Sequence, residues 1–323
     1  MRFNLGFLVF TGLCAIASQS RATDDGPPPW AFAVNPPATQ PAAPMPDDGL
    51  PKHISGSSVA LTLAQVKDAF NIPDWHPDNH PPAPEIVTHG RKPAVMGCGY
   101  CHLPNGLGRP ENAGLAGLPA AYIAQQIADF RSGARQSAIP DMVPPKLMVG
   151  IAKAATDEEV KAAADYFAGL DFKPWIRVVE AATVPKTHVA GYMLVADPDG
   201  AVEPIGQRIV ETPEKLADTE LRDSGSGFVA YVPPGSIKRG AALVKTGDGR
   251  TTPCGVCHGV DLKGLGPVPP LAGRSPSYIV RQLYDIQHGQ RAGSWTPLMQ
   301  AVVRDLKPGD LVDIAAYTAS RRP

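Results

Sequence analysis

Cys98-Gly99-Tyr100-Cys101-His102 is followed, 156 positions later, by Cys254-Gly255-Val256-Cys257-His258. The repetition extends outward from both pentapeptides. At the same offset Leu115-Ala116-Gly117 matches Leu271-Ala272-Gly273, and Tyr122-Ile123 matches Tyr278-Ile279. Gln126, Asp129 and Gly133 likewise match Gln282, Asp285 and Gly289. The first copy then carries five extra residues, after which Leu147-Met148 matches Leu298-Met299 and Tyr166 matches Tyr317. One unit has been used twice.

Each copy reads as helical. Pro119 at the first helical position and Gly133 just past the end bracket a helix with Tyr122, Ile123, Gln126, Ile127 and Phe130 on one face. Its twin runs from Ser275, as N-cap, and Pro276 to Gly289. The first copy closes on a helix that starts with the capping box Thr156-Asp157-Glu158-Glu159, then Val160, Ala163, Ala164 and Phe167 at helical spacing. The second closes on a helix starting near Pro308, with Leu311, Ile314, Ala315 and Thr318.

Cys-x-x-Cys-His is the attachment sequence for c-type haem. Two thiols about one helical turn apart reach two vinyl groups on one porphyrin edge, and the adjacent His reaches the iron from the same side. A thioredoxin-like redox pair calls for a βαβ context, which is absent, and a structural zinc site needs two more ligands per motif. The pentapeptides therefore imply two covalently bound haems. Cys98, Cys101, Cys254 and Cys257 are the attachment residues, and His102 and His258 the proximal iron ligands. Met148 and Met299 each stand eight residues before the start of the closing helix. As a repeated pair they are the expected distal ligands, with Met142 the alternative in the first copy.

The remaining sequence frames these units. The chain has 323 residues, 43% of them hydrophobic, which rules out whole-chain disorder. A formal charge of -1 gives no electrostatic case for nucleic-acid binding. Residues 1–22 have the layout of a secretory signal peptide: Arg2, an apolar run from Leu5 to Ala17, and small residues in Ser20-Arg21-Ala22, with Ala15-Ile16-Ala17 an alternative cut. Export to the periplasm is expected. Cleavage after Ala22 leaves 28 basic and 31 acidic residues and removes Cys14, so the odd count of five cysteines becomes two per haem. No later segment approaches 18 consecutive apolar residues, so membrane association is expected only through partners.

Residues 23–84 form a Pro-rich, mostly irregular leader, with one short helix expected over 62–70 behind Thr62. Residues 171–235 belong to neither copy and carry β-prone runs at Ile176 to Val184, Tyr192 to Val195 and Phe228 to Val232. His76, His80 and His89 read as solvated loop histidines near a haem edge, with metal binding as the alternative. His288 reads as a helix C-terminal cation. Tyr122 and Tyr278 serve the core or a haem propionate. Arg109 and Arg274 read as solvated loop arginines, with propionate pairing as the alternative.

The two pentapeptides, the Leu-Ala-Gly segments, the Tyr-Ile-x-x-Gln helices and the late methionines resemble class I cytochromes c, most closely the dihaem cytochrome c4 family. The resemblance covers about half the chain, 85–170 and 236–321. It implies a mainly α fold of two tandem haem domains, 85–170 and 236–323, joined by the long, partly β-stranded connection 171–235. It implies His/Met-ligated irons that pass electrons singly and leave no room for substrate. In this family a loop carbonyl beside a proline receives the proximal His N–H. Pro269 fits, and the first copy has Ala113 there. The leader and the insertion depart from the family's compact pair and put the usual contact between domains in doubt. The expected role is an exported electron carrier, taking electrons from a dehydrogenase or respiratory complex and passing them to an oxidase or reductase. A dedicated cytochrome subunit of a periplasmic dehydrogenase and a dihaem peroxidase are the alternatives.

Overall fold

The computed structural model describes residues 26–36 and 47–323, so the expected signal peptide and Cys14 lie outside the described residues. The described chain starts with a leader holding β1 (Lys52–His53), β2 (Ala60–Leu61) and α1 (Leu63–Val66). Thr62 caps α1 in a capping box with Gln65, but the helix stops after one turn instead of running on to residue 70.

The first helical unit follows: α2 (Glu85–Thr88), α3 (Gly99–His102), α4 (Ala120–Ser132), α5 (Val143–Ala154) and α6 (Asp157–Ala168). Helix α4 begins one residue later than expected, with Pro119 in the N-cap position. Gly133 closes it in the left-handed conformation at φ 81°, where a side chain would be strained. The capping box at Thr156 forms: its hydroxyl accepts from the Glu159 N–H, and Glu159 accepts from the Thr156 N–H. Ile123 of α4 and Ala163, Ala164 and Phe167 of α6 bury together with Val87, Val95 and Ala116.

The intervening residues build β3 (Ile176–Glu180), β4 (Thr183–Pro185), β5 (Thr187–Ala190), β6 (Met193–Ala196), β7 (Val202–Pro204), β8 (Val210–Pro213), α7 (Leu216–Glu220) and β9 (Phe228–Val232). Strand β9 is central in a three-stranded sheet, parallel to β3 and antiparallel to β8. The expected β-prone runs coincide with β3–β4, β6 and β9, whereas β5, β7, β8 and α7 were not anticipated.

The second unit comprises α8 (Ser236–Thr246), α9 (Gly255–His258), α10 (Pro276–Gln287), α11 (Thr296–Val303) and α12 (Pro308–Ala319). Ser275 caps α10 by accepting from the Tyr278 N–H, as its sequence position implies. Helix α12 is buried nearly all round, which Leu311, Val312, Ile314, Ala315 and Ala316 favour and the pairing of the intervening Asp313 with Arg239 permits. Gly240 of α8 lies against α12 so closely that a Cβ there would run into the Asp313 carbonyl oxygen.

The reading of the leader as irregular needs correction. Ala31, Phe32 and Ala33 are buried, and Phe32, 2% exposed, joins the core of the second unit. Its ring meets Tyr284 edge-on at 5.8 Å. The Arg281 guanidinium donates to the Ala31 carbonyl oxygen at 2.7 Å. Further along, Trp75 is fully buried with Ile54 and Val66, and its Nε1 donates to the Leu221 carbonyl oxygen at 2.8 Å. Proline enrichment signals a chain without regular hydrogen bonding, but not one without burial.

Candidate haem sites

Both pentapeptides form a single helical turn, in which the His102 N–H reaches the Cys98 carbonyl at 3.1 Å and the His258 N–H reaches that of Cys254 at 2.9 Å. The turn places the two sulfur-bearing side chains and the imidazole in one neighbourhood. Each turn ends on a residue at positive φ, Leu103 at 64° and Gly259 at 80°, which swings the chain back around the histidine. The returning loops then offer equivalent carbonyls. His102 Nδ1 lies 2.8 Å from the Ala113 oxygen, and His258 Nδ1 lies 2.8 Å from the Pro269 oxygen. Lack of a proline at 113 does not change this contact. The carbonyl fixes the Nδ1–H tautomer and leaves the Nε2 lone pair as the donor. Burial lowers the pKa of both histidines, which keeps them neutral and fit to ligate a metal.

Burial pushes the Cys98 thiol up to about 12 and that of Cys254 up to about 11, and the Cys101 thiol up as well. None of the four cysteines forms a disulfide. Cys98, Cys101 and Cys254 are shielded thiols, not activated nucleophiles, while Cys257 is exposed.

Cys98, Cys101 and His102 open on a narrow apolar cleft, whose lining includes Leu115, Ile123, Ile127 and Phe167. Met148 of α5 lines the same cleft. Met142 does not: it is 1% exposed and packs into the core of the second unit with Phe32 and Val280. Of the two methionines in the first copy, only Met148 thus shares a cleft with the pentapeptide. In the second unit Met299 of α11, Cys254 and Leu271 each pack against the one buried core. Neutral imidazole, thioether and paired thiols around an apolar cleft are a donor set that fits an iron porphyrin.

The smaller signals resolve differently. His76 and His80 are not free in solvent. His76 Nε2 meets Asp223 Oδ1 at 2.8 Å, and His80 bridges Asp74, at 3.1 Å, and the Tyr166 hydroxyl, at 3.1 Å. The Asp74 hydrogen bond raises the pKa of His80. His89 is exposed beside Thr88. His288 caps α10 and stacks on Tyr284 at 3.9 Å. Arg109 and Arg274, read as solvated, are both buried. Arg109 Nε lies 2.9 Å from Glu111, and Arg274 donates to the Gly114 and Ala116 carbonyls across the two units at 2.6 and 2.9 Å. Charge alone suggested exposure, but buried guanidinium groups are retained when carbonyls and carboxylates satisfy them.

The units meet through a near-symmetric joint despite the long insertion. The Gln136 N–H donates to the Gln290 carbonyl and the Ala292 N–H to that of Ala134, at 2.8 and 2.7 Å. Arg135 reaches across to the Tyr278 hydroxyl at 2.9 Å, and Arg291 reaches back to the Tyr122 hydroxyl at 2.7 Å. Sequence reasoning missed these two arginines, although they stand at the repeat offset of 156.

The surroundings of the two attachment turns are less symmetric. The Arg222 guanidinium covers the Tyr100 ring at 3.7 Å and donates to its carbonyl, while Asn105 donates to the Ser224 carbonyl. Residues of the insertion therefore overlie the first turn. Around the second, Val256 and Val260 are exposed.

Known proteins resemble this chain in sequence. No family profile matches the chain. A cytochrome c-554(548) from Halomonas halodenitrificans is 37% identical over 76 residues, a stretch that covers 23% of this chain and 92% of that protein. The chain belongs to the c-type cytochromes. It is accordingly a haem-binding electron carrier rather than an enzyme. The cytochrome is 40% identical to cytochrome c4 of Pseudomonas aeruginosa over 88 residues, 27% of this chain and 42% of that one. It is 28% identical to a thiosulfate dehydrogenase electron acceptor of Stutzerimonas stutzeri over 241 residues, 73% of this chain and 84% of that one. Among the described residues no helix is long and apolar enough to cross a membrane.

Proposed function

We propose that this cytochrome is an exported dihaem protein of two tandem class I haem domains, 85–170 and 236–323, that accepts electrons singly from a periplasmic dehydrogenase. The observation that carries the dehydrogenase partner is the length of the Stutzerimonas stutzeri match. A stretch covering 73% of the chain has to include the whole of 171–235, the part that sets this protein apart from a compact c4 pair. Oxidation of thiosulfate or a similar sulfur anion is the donor reaction that match favours. A free carrier of the c4 kind is the second reading, favoured by the 40% identity over one unit.

When bound, each haem iron supplies a one-electron couple. The chain does the rest. Cys98, Cys101, Cys254 and Cys257 tether the macrocycles, so a small domain holds a large cofactor without burying it entirely. His102 and His258 donate through Nε2, and the Ala113 and Pro269 carbonyls hold the rings in that orientation. Met148 and Met299 would hold the iron through sulfur, a donor that would favour the reduced state and raise the potential. With His102 and Met148 in one unit, and His258 and Met299 in the other, as its protein ligands, the group would leave no opening for substrate. Residues 1–22 direct export and are removed.

Three measurements test this. The purified protein is expected to give two haems per chain in a pyridine haemochrome assay and to start at Thr23. The oxidised form is expected to show the red methionine–iron charge-transfer band. A dehydrogenase of the same source, supplied with thiosulfate, is expected to reduce both haems within a turnover time. One haem per chain, or no reduction with that enzyme while a c4-type oxidase still accepts electrons, refutes the respective part.

A further inference from the structure

The insertion lays one cation on the first attachment turn. The Arg222 guanidinium lies over the Tyr100 ring at 3.7 Å and donates to the Tyr100 carbonyl oxygen at 2.6 Å. That carbonyl belongs to the peptide bond between Tyr100 and Cys101, so the charge rests on the turn that carries Cys101 and His102. The nearest acids in sequence are engaged elsewhere: Asp223 with His76 at 2.8 Å, and Asp218 with Lys215 at 3.7 Å. Among the described residues Arg222 forms no ion pair. Arg109 and Glu111, buried in the loop that follows the turn, pair with each other at 2.9 Å and offset one another.

Arg222 is held in place at a cost. It follows α7 in the left-handed region, at φ 59°, where glycine or asparagine is usual and a longer side chain is strained. The chain is pinned on both sides of it. The Leu221 carbonyl accepts from Trp75 at 2.8 Å, and the Ser224 carbonyl from Asn105 at 2.6 Å. Such an angle persists only where the surroundings over-determine it. The second turn has no counterpart: at the repeat offset Val256 stands for Tyr100 and Asp261 for Asn105, and both are exposed.

We propose that Arg222 is a potential-setting residue, delivered by the insertion to the first haem, that raises the reduction potential of that haem and leaves the second unchanged. The inference rests on the two-haem reading above. A positive charge beside a redox centre favours the state with one more electron, and cover that excludes water strengthens the effect. Gain of that electron involves no proton and no new bond. An electron shared between the haems is thereby drawn toward the covered first unit, by a segment that belongs to neither repeat.

The test is a spectroelectrochemical titration of the intact holoprotein, with haem content measured in parallel. Arg222→Asn suits the left-handed angle and removes the charge; it is expected to lower one wave and leave the other in place. The wave that moves is expected to be the one displaced by Met148→His, not by Met299→His. Arg222→Lys, which keeps the charge, is expected to retain most of the wild-type potential. Tyr100→Val gives the first turn the residue of the second and removes the ring beneath the guanidinium. It is an independent variant, expected to lower the same wave by a smaller step. No shift in either variant, equal shifts of both waves, movement of the Met299→His wave, or a Lys variant that falls as far as Asn overturns the assignment. A single haem per chain in the wild type overturns the two-haem reading instead.

Discussion

Replacement of Phe32 by alanine offers a quantitative test of how deeply the leader is built into the molecule. The ring is 2% exposed and sits among Val280, Tyr284 and Met142, with the Tyr284 ring edge-on at 5.8 Å. Burying and then deleting a phenylalanine side chain costs about 3–5 kcal/mol, of which the aromatic pair accounts for roughly 0.5–1.5. The leader here is a short segment that is able to settle inward, so the lower end, about 3 kcal/mol, is expected. For a structure of this size that is a fall in melting temperature of roughly 6–12 °C. The assay is urea or thermal unfolding of the haem-loaded protein, followed by far-ultraviolet circular dichroism. Pro29→Ala, at an exposed neighbouring position, serves as control and is expected within about 0.5 kcal/mol of wild type. A Phe32→Ala protein as stable as that control refutes the view that the leader is part of the second core.

The remaining predictions concern the sites and the packing around them. Met148→His and Met299→His are each expected to remove about half of the red charge-transfer absorbance, as one iron exchanges thioether for imidazole; loss of none or all of it in either variant contradicts the pairing. Gly240→Ala forces α8 off the Asp313 carbonyl and is expected to cost at least about 1–3 kcal/mol in denaturant titration, where a neutral result speaks against the close approach. Burial raises Asp285 to about 6, from 3.8, so its protonated form is favoured in the folded state. That contribution is fully present below about pH 4 and is lost as the pH rises to about 6, a span worth roughly 2–3 kcal/mol. Asp285→Asn keeps the acceptor for the Ala138 N–H and is expected to flatten the stability profile over this window; an unchanged profile assigns the pH dependence elsewhere.

Much of the site was legible because repetition carries information that single residues do not. Met148 and Met299 were marked by equal distance from a closing helix, and Met148 lies in the cleft of Cys98, Cys101 and His102. The helices α4, α6, α10 and α12 were announced by caps and apolar spacing, which are local properties. Helices α5 and α11 were not, since Pro144, Pro145 and Pro297 in their first turns look like breakers although a first turn tolerates proline. The burial of Phe32 and Met142 in one core was not legible either. Each depends on a partner far along the chain, and no local pattern encodes which apolar residue of a Pro-rich stretch will find one. Arg109 and Arg274 failed for a related reason: charge predicts exposure on average, and only the fold supplies the carbonyls that satisfy a buried guanidinium. The pairing of Arg135 with Arg291 was available in principle, because the same offset that aligned the pentapeptides aligns them.

The covering of the first attachment turn by the insertion has a consequence for assembly. Arg222 and Ser224, which close over Tyr100 and Asn105, are made some 120 positions after them. The first turn therefore gains its native surroundings only after the insertion has been made and folded back onto it. The second turn, with Val256 and Val260 open to solvent, has no such cover from the insertion.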